Sequence, residues 1–311
     1  MSPPPPAVPL LLGIEIGGTK LQLGIGRGDG ALLDLERLRI EPGRGAAGIL
    51  AQIEAGAGAL LGRAGVVAAD LGAVGIGFGG PVDAAAGVIV KSNQVAGWDG
   101  FPLAGWARRT LGVARVAVEN DAATAALGEA RHGAGAGSDP VLYVTVGSGV
   151  GGGLIVGGRV YRGSGRGAVE IGHLVVGEAG ATVEGLASGW SIGRDGREAL
   201  GRPGDPAIDA EAIVAAARAG DDRAAAVLGR ARAGLAAGLA HAITLLAPAR
   251  VVLGGGVSLI DADLWLDPIR AEVDRRVFAP FRGNYAIVPA RLGEEVVVHG
   301  ALALARDAAE G

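Results

Sequence analysis

Short apolar runs separated by glycine-rich turns recur along the chain and predict β-strands. Apolar residues 10–16 meet a turn at residues 17–20, and an alternating apolar pattern resumes over residues 21–25. Residues 141–156 repeat this order, with the glycine-rich stretch 147–153 between two apolar runs. The pattern therefore predicts two strand–turn–strand units of related construction, well separated along the chain.

Further strands and helices alternate over the rest of the chain. A buried strand over residues 113–118 leads into a helix over residues 121–131, which an Asx-type cap at Asp121 opens. Strands alternating with helices predict an α/β protein with two domains and a central cleft. Other strands are predicted at 32–40, 74–78 and 250–253, and other helices at 46–61, 209–246 (with a break at 220–222) and 300–309.

The length of 311 residues favours two domains. We predict a disordered lead-in at residues 1–9 and a smaller α/β domain at 10–121, joined by the C-terminal helix 300–311. Residues 122–299 would form a larger α/β domain. The proline-rich N-terminus lacks the basic and apolar stretches of a signal peptide, and no membrane span is predicted.

The composition narrows the function classes. The net charge is −4 and no run of Lys or Arg is present, so a nucleic-acid partner is not expected. The chain has no cysteine, which excludes disulfides, thiolate zinc sites and cysteine nucleophiles, and fits a cytoplasmic location. Because 58 residues are glycine, a single glycine carries little information.

The two glycine-rich turns are candidate phosphate sites, because successive backbone N–H groups can converge on an anion where no Cβ intrudes. Residues 13–20 lack the Gly-Lys-Ser/Thr ending of a P-loop. Both turns also run into a strand, whereas the P-loop and the dinucleotide fingerprint need a helix. Two interpretations of these turns therefore stay open: a β-hairpin whose turn binds phosphate, and an ordinary hairpin in a glycine-rich protein.

Seven segments along the chain stand out as motifs: residues 15–20, Gly77 to Asp83, Ser92-Asn93 to Trp98, Glu119 to Ala123 with Leu127-Gly128-Glu129, Gly147 to Gly153, Glu170-Ile171-Gly172-His173 and Leu253 to Val257. In this order they resemble the motifs of the ROK family (repressor, open reading frame, kinase) of bacterial sugar kinases and sugar-responsive repressors. The resemblance extends from about residue 12 to residue 305.

The resemblance implies a two-domain actin/hexokinase-like (ribonuclease H-like) fold and a glucokinase-like enzyme that transfers the γ-phosphoryl group of ATP to a sugar hydroxyl. Asp121 is the candidate general base, because it follows a buried strand, heads a helix and offers a carboxylate for the hydroxyl proton. The simpler interpretation is a helix cap, and the two roles are compatible.

The family positions imply a set of sugar ligands, and carboxylates and an imidazole suit this role because each vicinal hydroxyl of a sugar can both donate and accept. Alone, each of these residue types is more common as a surface group or a satisfied core residue, and the Glu-x-x-His spacing also permits zinc. The set is Asn93, Asn120, Asp121, Glu170, His173 and Glu184.

Backbone and side-chain groups of the glycine motifs would bind ATP. Glu15, where much of the family has Asp, is a candidate Mg²⁺ ligand through water. A Lys in an exposed hairpin such as Lys20 is more often simply solvated. The ATP and phosphate candidates are Gly17, Gly18, Thr19, Lys20, Gly147, Ser148, Gly149, Gly151, Gly254, Gly255 and Gly256.

One departure from the family pattern concerns zinc. Many family members carry a Cys-rich zinc segment after the Glu-x-Gly-His motif, whereas this chain runs directly from His173 to Thr182-Val183-Glu184 and has no cysteine. We therefore predict no structural zinc, with His173 serving the sugar alone. The shorter segment is expected to reshape the sugar pocket.

Two other functions stay open from the sequence. A repressor of the same family would carry a DNA-binding domain, but only about ten residues precede the first strand. A non-catalytic sugar-binding protein would keep the fold but would not need Asp121 with both phosphate turns. The sequence does not identify the sugar, does not exclude polyphosphate as donor, and leaves a homodimer or homotetramer as the family expectation.

Overall fold

The computed structural model describes residues 9–92, 95–165 and 167–311. Contacts between residues divide the chain into two compact units. Unit 1 combines the chain up to Gly137 with Gly158–Ala168 and Leu292–Gly311, and unit 2 combines Ser138–Gly157 with Val169–Arg291.

Strands and helices alternate as the apolar pattern predicts. The strands are β1 (Leu10–Ile16), β2 (Lys20–Gly26), β3 (Leu32–Arg39), β4 (Leu71–Phe78), β5 (Val82–Asp83), β6 (Val88–Ile89), β7 (Val116–Asn120), β8 (Val141–Val146), β9 (Val150–Val156), β10 (Arg159–Val160), β11 (Arg250–Gly254) and β12 (Ala286–Pro289). The helices are α1 (Gly45–Ala64), α2 (Leu103–Leu111), α3 (Asp121–His132), α4 (Val183–Ala187), α5 (Gly189–Ala199), α6 (Ala210–Arg218), α7 (Asp222–Leu246), α8 (Leu266–Arg276) and α9 (Val296–Glu310).

The sheet of unit 1 has the strand order β3-β2-β1-β4-β7. Strands β1 and β2 form the antiparallel hairpin predicted from the glycine turn, whereas β1, β4 and β7 run parallel. The carboxyl ends of three strands therefore meet at one edge of the sheet, where Ile16, Phe78 and Asn120 are paired neighbours. In open α/β sheets this edge is the usual position of a ligand site.

Helices pack on this sheet, which explains why its central strands β1 and β4 are mostly apolar. Helix α1 buries Ile49, Ile53 and Leu60, while α9 packs on β1 and β4. A methyl group on Gly75 would overlap the carbonyl oxygen of Ala301, so glycine at this position of β4 allows α9 to dock.

Helix α1 also belongs to a candidate membrane span. Among the described residues, Pro42–Ala64 is the helical segment that is long and apolar enough to cross a bilayer, judged by length and composition. Its apolar face is buried in the core of unit 1, against β2 and β3. This packing is typical of a core helix.

Unit 2 repeats the construction of unit 1. Its strand order is β9-β8-β11-β12, with β8 and β9 antiparallel and with β8, β11 and β12 parallel. Helix α7 packs against α4, α5, α6 and α8 and buries Leu228, Leu235 and Leu239. The predicted α/β class and the predicted strand–turn–strand units are therefore confirmed.

The division between the units differs from the predicted boundary after residue 121. Helix α3 packs against α9 and β4, so its contacts extend unit 1 to Gly137. After β9 the chain returns to unit 1 for the segment Gly158–Ala168, and it then re-enters unit 2 at Val169. Residues 1–8 of the predicted lead-in lie outside the described residues, and Pro9 is exposed.

Candidate functional site

In unit 1, the candidate base and the first glycine turn lie close together at the carboxyl edge of the sheet. Gly17, Gly79 and Asp121 each directly follow one of the parallel strands. A methyl group on Gly79 would lie 3.4 Å from Oδ2 of Asp121 and 3.5 Å from Cα of Gly17. Glycine at this position therefore keeps space beside the Asp121 carboxylate.

Asn120, rather than Asp121, caps α3. Its Oδ1 accepts hydrogen bonds from the N–H groups of Ala122 and Ala123, at 2.9 and 3.2 Å. The expectation that Asp121 is the cap is wrong, because Asp121 is the first helical residue and Asn120 has the extended backbone of a cap. The cap interpretation thus does not account for the Asp121 carboxylate.

The amide of Asn120 also orients Asp121. Its Nδ2 donates to Oδ1 of Asp121 at 3.1 Å and to the carbonyl oxygen of Gly80 at 3.2 Å. The N–H of Ala122 donates to the same Oδ1 at 2.8 Å. One carboxylate oxygen is thereby fixed by the protein, and the other lies on the side of Gly79. Such fixation is the preorganisation that a general base requires.

Lys20 closes the first glycine turn. The N–H of Gly17 donates to the carbonyl oxygen of Lys20 at 2.9 Å, and the Lys20 ammonium lies 3.2 Å from Oε1 of Glu15. The ammonium also donates to the carbonyl oxygen of Glu294 at 3.0 Å. The Lys20 ammonium is therefore held beside the turn by Glu15 of β1 and by the backbone of Glu294, in the short 3-10 turn before α9.

Glu15 is a buried carboxylate, with 7% of its surface exposed. Burial raises the pKa of Glu15 to about 7, although the Lys20 ammonium acts in the opposite direction. Its Oε2 has no hydrogen-bond partner among the described residues. Mg²⁺ in kinases takes one or two carboxylates in addition to phosphate oxygens and water, so an available oxygen here fits that ion.

An ion pair next to Asp121 joins the buried carboxylate of Glu119 to the exposed side chain of Arg162. Glu119 is 3% exposed, and its Oε2 accepts from Nε of Arg162 at 2.7 Å. Its Oε1 accepts from the N–H of Asn120 at 3.0 Å. The acidic position at the end of a buried strand was a usable signal for Glu119, whereas nothing in the sequence indicates Arg162 as its partner.

In unit 2, Glu184 contacts the second glycine turn. Its Oε2 accepts from the N–H of Val150 at 2.9 Å, and a methyl group on Gly149 would lie 2.5 Å from this oxygen. Glu184 lies on α4, where the side chain of Thr182 provides the cap. A predicted sugar ligand is therefore also a support for a predicted phosphate turn.

Glu170 and His173 lie on one short 3-10 turn, in which the N–H of His173 donates to the carbonyl oxygen of Glu170 at 3.0 Å. Both residues are exposed. The turn packs against α4 and β9, the elements that carry Glu184 and the end of the glycine turn. Unit 2 thus brings three of the predicted sugar ligands onto neighbouring elements.

The three glycines after β11 differ in their surroundings. Gly254 is buried, and a methyl group there would overlap the hydroxyl of Tyr143. Gly255 has φ +85°, a backbone conformation that favours glycine. Gly256 is exposed, and a methyl group added to it would have no atom of the described residues within 4 Å. Gly254 therefore has a packing role, and Gly256 presents its backbone to solvent.

Asn93 lies outside the described residues. Within the described part of the chain, no three or more His, Asp or Glu side chains form a group that could hold a metal ion. A Mg²⁺ ion that is held mainly by nucleotide phosphates does not need such a group.

Comparison with known proteins assigns the family. The sequence profile of the ROK family matches residues 11–308. The chain belongs to the ROK family. A glucokinase from Streptomyces coelicolor is 31% identical over 320 residues, covering 96% of this chain and 98% of the relative. The predicted family is therefore confirmed.

Solved structures of ROK proteins have the same fold. The ROK hexokinase from Thermus thermophilus superimposes with a TM-score of 0.83 at 31% identity, covering 97% of this chain and 100% of that one. The ROK glucokinase from Streptomyces griseus, solved with glucose and AMPPNP, gives 0.80 at 33% identity, covering 96% and 99%. The predicted actin/hexokinase-like fold class is confirmed.

Proposed function

We propose that this protein phosphorylates a hydroxyl of a hexose or related sugar with ATP, and that Asp121 is the general base. The observation that carries the proposal is the position of Asp121 at the carboxyl edge of the unit 1 sheet, beside Gly79 and the first glycine turn. The broader prediction of a sugar kinase is confirmed by its ROK relatives.

Asp121 would accept the proton of the attacking sugar hydroxyl. Phosphoryl transfer passes through a loose transition state, so positioning and charge neutralisation contribute most of the catalysis. Asn120 fixes one carboxylate oxygen of Asp121, which leaves the orientation of the other defined. Glu119, which is paired with Arg162, supports this segment because its Oε1 accepts from the N–H of Asn120.

Backbone amides of the two glycine turns would bind phosphate oxygens of ATP. In unit 1 the candidates are the amides of Gly18 and Thr19, with the Lys20 ammonium neutralising charge; the N–H of Gly17 already donates to the carbonyl oxygen of Lys20 and shapes the turn. The adenosine would contact Gly255 and Gly256, with Gly254 as a packing residue. In unit 2 the candidate amides belong to Ser148, Gly149 and Gly151, whereas the N–H of Gly147 donates to the carbonyl oxygen of Gly149 within the turn.

The sugar hydroxyls would be held by Glu170, His173 and Glu184, with Asn120 and Asn93 as further ligands. Carboxylates and an imidazole suit hydroxyls because each sugar hydroxyl both donates and accepts. Glucose is the first sugar to test, since the Streptomyces griseus relative was solved with it. The absence of cysteine supports a sugar pocket in which His173 has no zinc to share.

Mg²⁺ would neutralise charge on the transferring phosphate when it is bound. Glu15 would hold it through water, because one of its oxygens has no partner among the described residues. A cytoplasmic location and a homodimeric or homotetrameric state stay predictions from the sequence, as does the absence of nucleic-acid and membrane partners.

A coupled assay of ADP release over a panel of hexoses and N-acetylhexosamines tests the function. Wild type should release ADP only with sugar, and Asp121→Asn should lower kcat by about 10²- to 10⁴-fold. Asp222→Asn is the matched control, because Asp222 is also the first residue of a helix and is exposed. Normal turnover by Asp121→Asn would exclude the base.

The same assay addresses the alternative of a non-catalytic sugar-binding or regulatory protein. Wild type that binds a sugar but shows no turnover with ATP or with polyphosphate would favour that function. Retention of both glycine turns together with Asp121 favours the kinase.

A further inference from the structure

Trp190 stands apart from the other tryptophans of the chain. Trp98 and Trp265 are buried, at 1% and 0% exposure, and Trp106 is partly buried. Trp190 is 71% exposed at the second position of α5. An indole carries a large apolar surface, and tryptophan is mostly buried in folded proteins. An exposed ring at a defined place therefore points to a ligand or partner.

The start of α5 is attached to the second glycine turn. The N–H of Gly189 donates to the carbonyl oxygen of Gly147 at 2.7 Å. Oγ of Ser188 accepts from the N–H of Ser191 at 3.2 Å and so caps the helix. The backbone on both sides of Trp190 is therefore fixed, and the position of its Cα is set relative to the turn.

The same place contacts the glycine segment after β11. A methyl group on Gly189 would lie 3.5 Å from Cγ2 of Val257, the residue that follows Gly256. Trp190 is thus one residue from the point where the second glycine turn and the segment Gly254 to Val257 meet. All of these residues lie in unit 2.

Open backbone surrounds this meeting point. Neither Gly147 nor Gly256 has any atom of the described residues within 4 Å of the position of an added Cβ. Leu259, in the 3-10 turn that begins at Gly256, adds an exposed apolar side chain at 79% exposure. The exposed backbone of Gly256 beside an exposed aromatic ring suits a ligand with a polar part and a flat aromatic part.

We propose that Trp190 is the stacking platform for the adenine base of the nucleotide donor. This inference rests on the proposed function and adds a residue that sets affinity for the base rather than for the phosphates. The indole face covers the base, while the amides of the glycine segments contact the phosphates and ribose. Stacking of a base on an aromatic side chain contributes enough affinity to be measured by substitution.

The experiment compares binding of ADP and of inorganic tripolyphosphate by calorimetry in wild type, Trp190→Phe and Trp190→Ala. Trp190→Ala should bind ADP about 5- to 50-fold more weakly and should bind tripolyphosphate as wild type does. Trp190→Phe keeps a ring and should stay within about 5-fold of wild type for ADP. Phe278→Ala, which removes another exposed aromatic ring of unit 2, should leave ADP affinity unchanged.

Intrinsic fluorescence gives a second readout, because Trp190 is the exposed tryptophan. ADP should change the emission of wild type and should not change that of Trp190→Phe, whereas tripolyphosphate should change neither. Equal ADP affinity in Trp190→Ala and wild type would overturn the inference and leave the kinase proposal intact. Loss of both ligands in Trp190→Ala would also overturn it, since the phosphate turn would then be the damaged part.

Two further outcomes would point to a different donor or to a different role for Trp190. Wild type that does not bind ADP would overturn the proposed ATP donor and this inference with it. Trp190→Ala that binds ADP normally but changes oligomeric mass in sedimentation would assign the ring to a protein contact instead of a base.

Discussion

At the scale of single residues, Gly79 determines how much space the Asp121 carboxylate has. A methyl group there would lie 3.4 Å from Oδ2 of Asp121 and 3.3 Å from the carbonyl oxygen of Ile16. Both distances are close to ordinary contact, and Gly79 has no positive φ. An alanine therefore fits the backbone but occupies the space into which a substrate hydroxyl would enter.

We expect Gly79→Ala to lower kcat/KM for the sugar by about 10- to 100-fold, because small misplacements of reacting groups are costly. Its free energy of unfolding should change by about 1 kcal/mol or less. Steady-state kinetics and urea unfolding measure the two effects. Gly62→Ala on α1 is the control, since no atom of the described residues lies within 4 Å of its added methyl. Unchanged kcat/KM in Gly79→Ala would contradict the assignment of this space.

The sequence indicated candidate residues where a motif contains them, but it did not indicate their contacts. The segment Asn120-Asp121 could be found from its strand-to-helix position, but which residue caps α3 depends on where β7 ends. The bond between Glu184 and the N–H of Val150 joins residues 34 positions apart. Such a contact follows from the packing of α4 on β9 and has no local pattern.

At the scale of elements, α3 and α9 form the closest helix pair of unit 1. A methyl group on Gly300 of α9 would overlap the carbonyl oxygen of Thr124, and Gly128 of α3 lies against Gly300 in turn. The two helices carry His132 and His299. Burial lowers the pKa of both imidazoles, and the neighbouring positive charges of His299 and Arg131 lower that of His132 further.

Because these pKa values lie below those of the unfolded chain, the folded state favours neutral imidazoles. The stability that they contribute is present above the unfolded pKa of about 6.5 and is lost as the pH falls through the lower folded values. The double variant His132→Gln, His299→Gln should therefore lose less unfolding free energy than wild type between about pH 8 and about pH 5.

Urea unfolding at the two pH values measures this difference. His241→Gln is the matched control, because His241 is an exposed histidine of unit 2. A double variant with the same pH dependence as wild type would show that the α3–α9 pair does not respond to protonation.

Long periodic elements were predictable, and short or charged ones were not. The strand predicted at residues 113–118 is found at Val116–Asn120. Val113 is buried but lies before this strand, so its apolar side chain made the predicted strand begin too early. Helix α8 was missed because only Leu266, Ile269 and Val273 of its residues are buried among many charged ones. Strand β12 has four residues, too few for an alternating pattern to be recognised.

At the scale of the whole molecule, the chain leaves and re-enters unit 1 beside one buried carboxylate. Glu129 is fully buried; its Oε2 accepts from the N–H of Ala134 at 2.6 Å, and its Oε1 accepts from the N–H of Leu292 at 2.8 Å. Unit 1 is interrupted after Gly137 and resumes at Leu292. Glu129 therefore ties a departing segment and a returning segment to α3.

We expect Glu129→Ala to lower the free energy of unfolding by about 3 kcal/mol, because it removes the acceptor of two buried hydrogen bonds. Glu129→Gln keeps one acceptor oxygen and should lose roughly half as much. Denaturant unfolding of both variants measures the effect, with Glu54→Ala on the exposed side of α1 as control. Equal stability of Glu129→Ala and Glu54→Ala would mean that the two segments are held by other contacts.

Strands β9, β8, β11 and β12 of unit 2 correspond in order to β2, β1, β4 and β7 of unit 1, but the third parallel strands of the two sheets end differently. Strand β7 ends at Asn120 and is followed by the carboxylate of Asp121, whereas the equivalent strand β12 ends at Pro289 and is followed by Ala290. A backbone that repeats itself thus carries an acid at one of two corresponding strand ends and a methyl group at the other. In the proposed mechanism, the topological symmetry of the two sheets is therefore not matched by chemical symmetry, and the proton acceptor belongs to unit 1.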